Sequence, residues 1–199
     1  MKILALDVAT QCGIAVGSSN GPPKCWSVDL GASVPDPRIE KRGQSEASLK
    51  RMRAAHKFKA DDIRFLAVAR LLEELIVEHE PDLIVPEAFI GGDNASAYLI
   101  GLVVCVRLCA ANHGIKCEMV APGTVRKHFL GKAKTSKDFP GVSVPKAKIM
   151  IKEEVAARCR LLGWDVPDLD AADAAATWDW ACATRAPAYQ AKPQGGMFK

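Results

Sequence analysis

Apolar residues gather in short runs at the start of the chain. Residues 2–8, 12–18 and 24–30 each read as a strand, and the turns between them carry Thr10-Gln11 and Asn20-Gly21-Pro22-Pro23, residue types that reverse a chain. They predict an antiparallel meander. Residues 31–60 are polar, basic and without sustained periodicity, an excursion expected to lie off the core and to order on substrate. Asp61 and Asp62 then open a helix in which Phe65, Val68, Leu72, Leu75 and Ile76 share one face, and Pro81 closes it. Residues 82–88 form a continuous apolar run ending near Glu87, as in a strand covered on both faces.

Residues 94–112 predict a helix apolar on most sides, which must be buried or packed against another subunit, with Gly114 as its stop. A fifth strand over 115–121, a short helix over 122–130 and a lysine-bearing loop over 131–144 follow. A helix over 146–162 preceded by Pro145 and a last helix over 170–184 come next. The tail 185–199, with its Pro, Gln and Gly, is expected to fray. The alternation of strands and helices predicts an α/β fold: a five-stranded mixed sheet flanked by helices, in a single domain over residues 1–184.

With 199 residues, 49% hydrophobic and 25% charged, the chain is long enough for one well-buried domain. No apolar run reaches the roughly 18 to 20 residues that span a bilayer. The first residues form a strand pattern rather than a signal peptide, so a cytoplasmic protein is expected. Seven cysteines, an odd number with no Cys-x-x-Cys, point to reduced thiols. The net charge is only +4, but eight basic residues against three acids between Asp36 and Lys59 place +5 there and leave −1 for the rest. A second basic stretch runs through Arg126, Lys127, Lys132, Lys134 and Lys137 to Lys146, Lys148 and Lys152. Either stretch alone reads as a solvated surface. Two of them around acids suit a polyanion such as DNA, with Arg51, Arg53, Arg126, Lys127, Lys132, Lys134 and Lys148 as candidate contacts.

Four acids change the picture most. Asp7 and Glu87 end strand-like runs, while Asp170 and Asp173 open an alanine-rich helix. Carboxylates beside a core need compensation, and a divalent cation is the usual compensator for several together. If the first and fourth strands are neighbours, Asp7 and Glu87 meet at their ends. Asp170 and Asp173, three apart on a helix, project from one face and can reach the same place. The pattern points to a metal-dependent enzyme. Plainer roles compete: Asp170 and Asp173 suit a helix cap and first turn, as do Asp165 and Asp168, and Asp7 suits a strand end facing a turn. Cys105, Cys109, His113 and Cys117 invite a zinc reading, but a cysteine stripe on an apolar helix is more simply packing. His128 suits a phosphate or the open surface equally. Trp164, Trp178 and Trp180 are expected to pack the last two helices against the sheet.

Residues 3–16 (ILALDVATQCGIAV), 82–89 (DLIVPEAF) and 170–174 (DAADA) resemble, in order and spacing, the RuvC family of Holliday-junction resolvases. Residues 95–114 are similar to the family's helix after the glutamate strand, and 120–127 (VAPGTVRK) to the strand and short helix that follow. The resemblance covers most of residues 1–184, leaving out the basic excursion. It implies an RNase H-like fold and a dimeric endonuclease that nicks branched DNA symmetrically with magnesium or manganese, leaving 5′-phosphate and 3′-hydroxyl ends. Asp7, Glu87, Asp170 and Asp173 match the four metal-binding acids. With two ions per site, Asp7 bridges both, Glu87 holds one and Asp170 with Asp173 completes the other. Lys146 falls near the family's basic residue beside the scissile phosphate, with Lys148 as an alternative, and Phe89 resembles an aromatic that contacts DNA near the crossover. Two departures stand out: residues 31–60 are longer than in the usual bacterial enzyme, and Pro86 before Glu87 is unusual. Phage-type relatives vary in these ways. A non-catalytic branched-DNA binder on the same fold and a broader branch or flap nuclease are the alternatives. The opening run LALD with Gly13 also resembles the first phosphate hairpin of actin-like ATPases, whose second hairpin is missing here.

Overall fold

The computed structural model describes residues 1–31, 45–89 and 96–186. Strands β1 (Lys2–Asp7), β2 (Gln11–Ser18) and β3 (Lys24–Asp29) form the antiparallel meander. β4 (Leu83–Pro86) lies parallel to β1, and β5 (Lys116–Cys117) parallel to β4, giving the order β3-β2-β1-β4-β5. This is the α/β, five-stranded mixed sheet expected from the pattern.

Alternation along β1 sends Ile3 and Ala5 into one core and Leu4 and Leu6 into the other. Both faces are covered, so the strand is apolar throughout. The first core packs against α3 (Pro122–Leu130), α4 (Val144–Leu161) and α5 (Leu169–Arg185); the second against α1 (Glu46–His79) and α2 (Ala97–Asn112). Ala171, Ala172, Ala174 and Ala175 of α5 are fully buried, and their small side chains bring the helix close to the sheet. Gly13 on β2 completes the approach: a Cβ there would stand 2.0 Å from the Asp170 carbonyl oxygen. Trp178, wholly buried, stacks edge-on against Trp164, which in turn stacks on Phe129. Trp180 is only partly buried, with Arg185 over its ring.

The structure departs from the pattern in three places. α1 starts at Glu46, not at Asp61, with Ser45 accepting from Ser48 N as its cap. Residues 46–60 are rich in alanine, lysine, arginine and other good helix formers but carry no apolar stripe, and their side chains are largely exposed until Ala60. Residues 32–44 of the excursion lie outside the described residues. Second, β5 is short. Pro86 has no amide hydrogen, so the β4–β5 ladder skips a rung and closes again where Val120 N donates to Pro86 O at 3.3 Å and Ala88 N to Val120 O at 2.8 Å. Third, α2 begins at Ala97 behind the cap Ser96, and the start expected at Asn94 lies outside the described residues, as does the tail from residue 187. Of the two placements open to α2, its packing face takes the inside of the subunit: Leu102, Val103 and Val106 are buried, while Val104 and Leu108 remain exposed.

The seven cysteines are free thiols. Cys109 Sγ donates to Ala69 O, and His113 pairs with Glu73 at 2.5 Å. Among the described residues no helix is long and apolar enough to cross a membrane.

Candidate active site

Parallel pairing in register sets the floor of the site. Leu6 lies opposite Pro86, so the next residues, Asp7 and Glu87, leave the sheet side by side, and Glu87 N donates to Leu6 O at 2.8 Å. The N-terminus of α5 closes over them from β2, held there by the gap at Gly13. Asp168, not Asp170, caps that helix: its carboxylate accepts from Asp170 N at 3.0 Å and Ala171 N at 2.8 Å. Asp170 is thereby released from the capping role and points, with Asp173 one turn on, toward Asp7.

What meets these acids is a lysine. Lys152 of α4 places its Nζ 3.2 Å from Asp7 Oδ2, 2.7 Å from Asp170 Oδ1 and 2.8 Å from Asp173 Oδ2. Oxygens that touch one ammonium lie within about 6 Å of each other, a span that fits a pair of cations roughly 3.5 to 4 Å apart. Burial works against the Lys152 charge, but Asp7 and Asp173, with the hydrogen bonds it donates to Asp170 and Asp173, outweigh it and hold the ammonium well above its ordinary range. Burial raises Asp173 to about 6, with Lys152 pulling it down and Asp7 pushing it up. Glu87 is raised well above the carboxylate range by burial, then by the charges of Asp7 and Asp173, with a hydrogen bond shared with Asp7 adding to the rise. Four acids meet one lysine here, so negative groups outnumber the positive charge set directly among them.

Asp7, Glu87 and Asp173 border a cavity of about 360 Å³ whose wall also includes Phe89, Arg126, Lys148 and Lys152. Its donors are carboxylate oxygens, the set that suits a hard divalent cation, and the Lys152 ammonium sits as a stand-in ion among them. Among the described residues no three His, Cys, Asp or Glu side chains stand ready-arranged around a metal position; Asp7, Asp170 and Asp173 each contact the lysine instead. The acids fit a divalent cation provided that Lys152 moves.

The other residues singled out in the sequence scatter. Lys146 stands exposed in the first turn of α4, away from the cavity wall. Lys127 is exposed on α3, Lys132 faces Asp138, and Lys134 faces Glu154 and the Phe139 ring. His128 pairs with Asp179 at 2.7 Å. Arg51 is exposed on the first half of α1, and the Arg53 side chain lies outside the described residues. Lys152 stands out in the sequence only as one of a basic stretch. A usable signal exists: Ala147, Ile151 and Val155 form the buried stripe of α4, and Lys148 and Lys152, four apart, lie beside it on one face.

The fold has counterparts among solved structures. A Thermus thermophilus RuvC structure matches with a TM-score of 0.52 at 18% identity, over 92% of this chain and 96% of that one. Thermus thermophilus RuvC in complex with a Holliday junction substrate matches with a TM-score of 0.57 at 14% identity, over 93% and 96%. This chain has the RuvC fold. The yeast mitochondrial Holliday junction resolvase Ydc2 shares less with it: a TM-score of 0.44 at 10% identity, over 88% and 74%. No family model and no curated protein sequence matches the chain. Identities this low leave the RuvC likeness as one of architecture, and the site must be read from its own side chains.

Proposed function

We propose that this chain is a metal-dependent endonuclease that resolves Holliday junctions or closely related branched DNA. One observation carries the reading: Asp7, Asp170 and Asp173 converge on a single cation beside Glu87, at the ends of β1, β4 and the start of α5, on a RuvC fold. Asp7, Glu87, Asp170 and Asp173 are the residues that would hold magnesium or manganese, two ions per site in the RuvC-like assignment. When bound, such ions activate a water for in-line attack on the phosphodiester and stabilise the departing oxygen.

The chain's own groups have separable tasks. The acids orient the cations, Arg126 and Lys148 on the cavity wall offset the charge of the scissile phosphate, and Phe89 presents an aromatic face to a base beside it. Lys146 and Lys127, exposed on neighbouring helices, meet flanking phosphates. The first half of α1 carries Lys50, Arg51, Lys57 and Lys59 on exposed positions and lies along a duplex arm, where such charges give affinity without sequence preference. Symmetric nicking needs two sites, so the working form is a homodimer, with exposed Val104 and Leu108 on α2 as part of its contact.

A second reading is favoured by one fact: Lys152 already satisfies three of the acids, as it would in a junction-binding protein that uses no metal. The test is incubation with labelled four-way junction, Y-fork and linear duplex, each with magnesium, manganese or chelator. Cleavage confined to the junction and lost with chelator supports a resolvase, and cleavage of the fork broadens it to a branch nuclease. Tight junction binding with no cleavage under any divalent ion replaces the enzyme by the binder.

A further inference from the structure

The Lys152 ammonium has three N–H donors, and each of its three contacts goes to a different aspartate, one from β1 and two from α5, at 2.7 to 3.2 Å. It comes from a third element, α4, so it ties together parts of the site that the backbone does not. A divalent cation would use these same oxygens at about 2.0 to 2.6 Å, closer than any ammonium, so both cannot occupy the cluster at once. Lysine is a compact charge on a flexible four-carbon stem, and the adjoining cavity of about 360 Å³ gives it somewhere to go. Glu87 is not among its contacts.

We propose that Lys152 is a tethered internal cation: it holds Asp7, Asp170 and Asp173 together in the metal-free protein, and a divalent ion must displace it to bind. This deepens the metal-site reading above and rests on it. Lys152 then sets two properties in opposite directions. It stabilises the metal-free site, because without it three carboxylates face one another. It also weakens the site's apparent metal affinity, because every ion that enters must break three charge-assisted hydrogen bonds. Once displaced, the ammonium lies beside the cavity that receives the phosphate, next to Lys148 and Arg126 on its wall.

The test is Lys152→Met, which keeps the stem and removes the charge, compared with wild type by calorimetric titration with Mn2+ alone and by thermal melting with chelator or Mn2+. Asp7→Asn serves to locate the binding heat at the acids. The expected result is a lower melting temperature in chelator, Mn2+ binding tighter by about tenfold, as for two ligands in competition, and a larger Mn2+-induced rise in melting temperature than in wild type. Folded Lys152→Met with unchanged or weaker Mn2+ binding overturns the proposal. Should this variant be unfolded in chelator, Mn2+ is titrated while circular dichroism follows the helices: metal-driven folding supports the proposal, and none at any concentration that wild type tolerates overturns it. The two levels fail differently. Equal affinities in wild type and variant, both abolished by Asp7→Asn, sink the competition alone, whereas no Mn2+ heat in either protein sinks the metal site with it.

Discussion

Gly13→Ala probes the close approach on which the site's assembly depends. The methyl would stand 2.0 Å from the Asp170 carbonyl oxygen and 2.5 Å from its carbon, where carbon and carbonyl oxygen normally keep about 3.3 to 3.6 Å. Strand and helix must therefore part by roughly 1.3 to 1.6 Å. Neither side yields easily, because both groups are main chain. β2 is hydrogen-bonded along both edges, and Asp168 fixes the first turn of α5. Backbone freedom is not the issue, since the glycines at positive φ are Gly114, Gly131, Gly141 and Gly163. Overpacking costs about 1 to 3 kcal/mol, and the upper end is expected here, a fall in Tm of roughly 6 to 12 °C for a chain of this size. The same shift carries Asp170 and Asp173 away from Asp7, and a misplacement of about 1 Å costs on the order of a hundredfold in rate. Urea denaturation followed by tryptophan fluorescence gives the first quantity, and single-turnover junction cleavage well below the melting temperature gives the second. A loss under about 0.5 kcal/mol together with wild-type cleavage would refute the close approach of α5 to β2.

Asp7→Asn should lower junction cleavage by at least a hundredfold, about 2.7 kcal/mol of barrier, while band shifts with junction DNA stay within a few-fold; near-normal cleavage removes Asp7 from the chemistry. Asp173 is raised from 3.8 to about 6, so between those pH values the folded chain keeps a proton that the unfolded chain has released. Metal-free protein should accordingly lose stability as pH climbs from about 4 to about 6, by up to about 3 kcal/mol from this group. Urea midpoints in chelator across that range should show a shallower slope for Asp173→Asn, and an unchanged slope rejects the assignment. Replacing Lys50, Arg51, Lys57 and Lys59 by glutamine should leave stability within about 0.5 kcal/mol but flatten the salt dependence of junction binding, by about 0.9 for each phosphate no longer neutralised; an unaltered slope places the duplex elsewhere.

How far this chain can be read from its sequence depends on which residues record their own surroundings. β1 and β4 declare themselves because both faces of each are buried, and Asp7 and Glu87 stand out as the acids that end them. Their adjacency rests on strand order, which no residue in either strand encodes, and the parallel pairing of Leu6 with Pro86 supplies it. The competition for the α5 cap is not decidable from sequence: Asp165, Asp168, Asp170 and Asp173 are chemically alike, and only the direction of the Asp168 side chain separates them. The first half of α1 is unreadable for a different reason. Amphipathic periodicity reports packing, and the side chains of residues 46–59 are largely exposed. Pro86 is visible as unusual, but its effect falls on β5, about thirty residues away, through a hydrogen bond it cannot donate. For Lys152 the sequence shows only its place beside the buried stripe of α4; that this helix brings it to Asp7, Asp170 and Asp173 needs the third dimension.

The order in which the acids occur along the polypeptide has a consequence during synthesis. Asp7 emerges from the ribosome first and Glu87 midway, but the helix bearing Asp170 and Asp173 comes after every strand and covers a face of β1 and β2 that would otherwise stay bare. A nascent chain therefore cannot bring the four acids together until α5 docks. On the nuclease reading proposed above, the unfinished protein cannot cut nearby nucleic acid, and truncation before α5 yields an inert product.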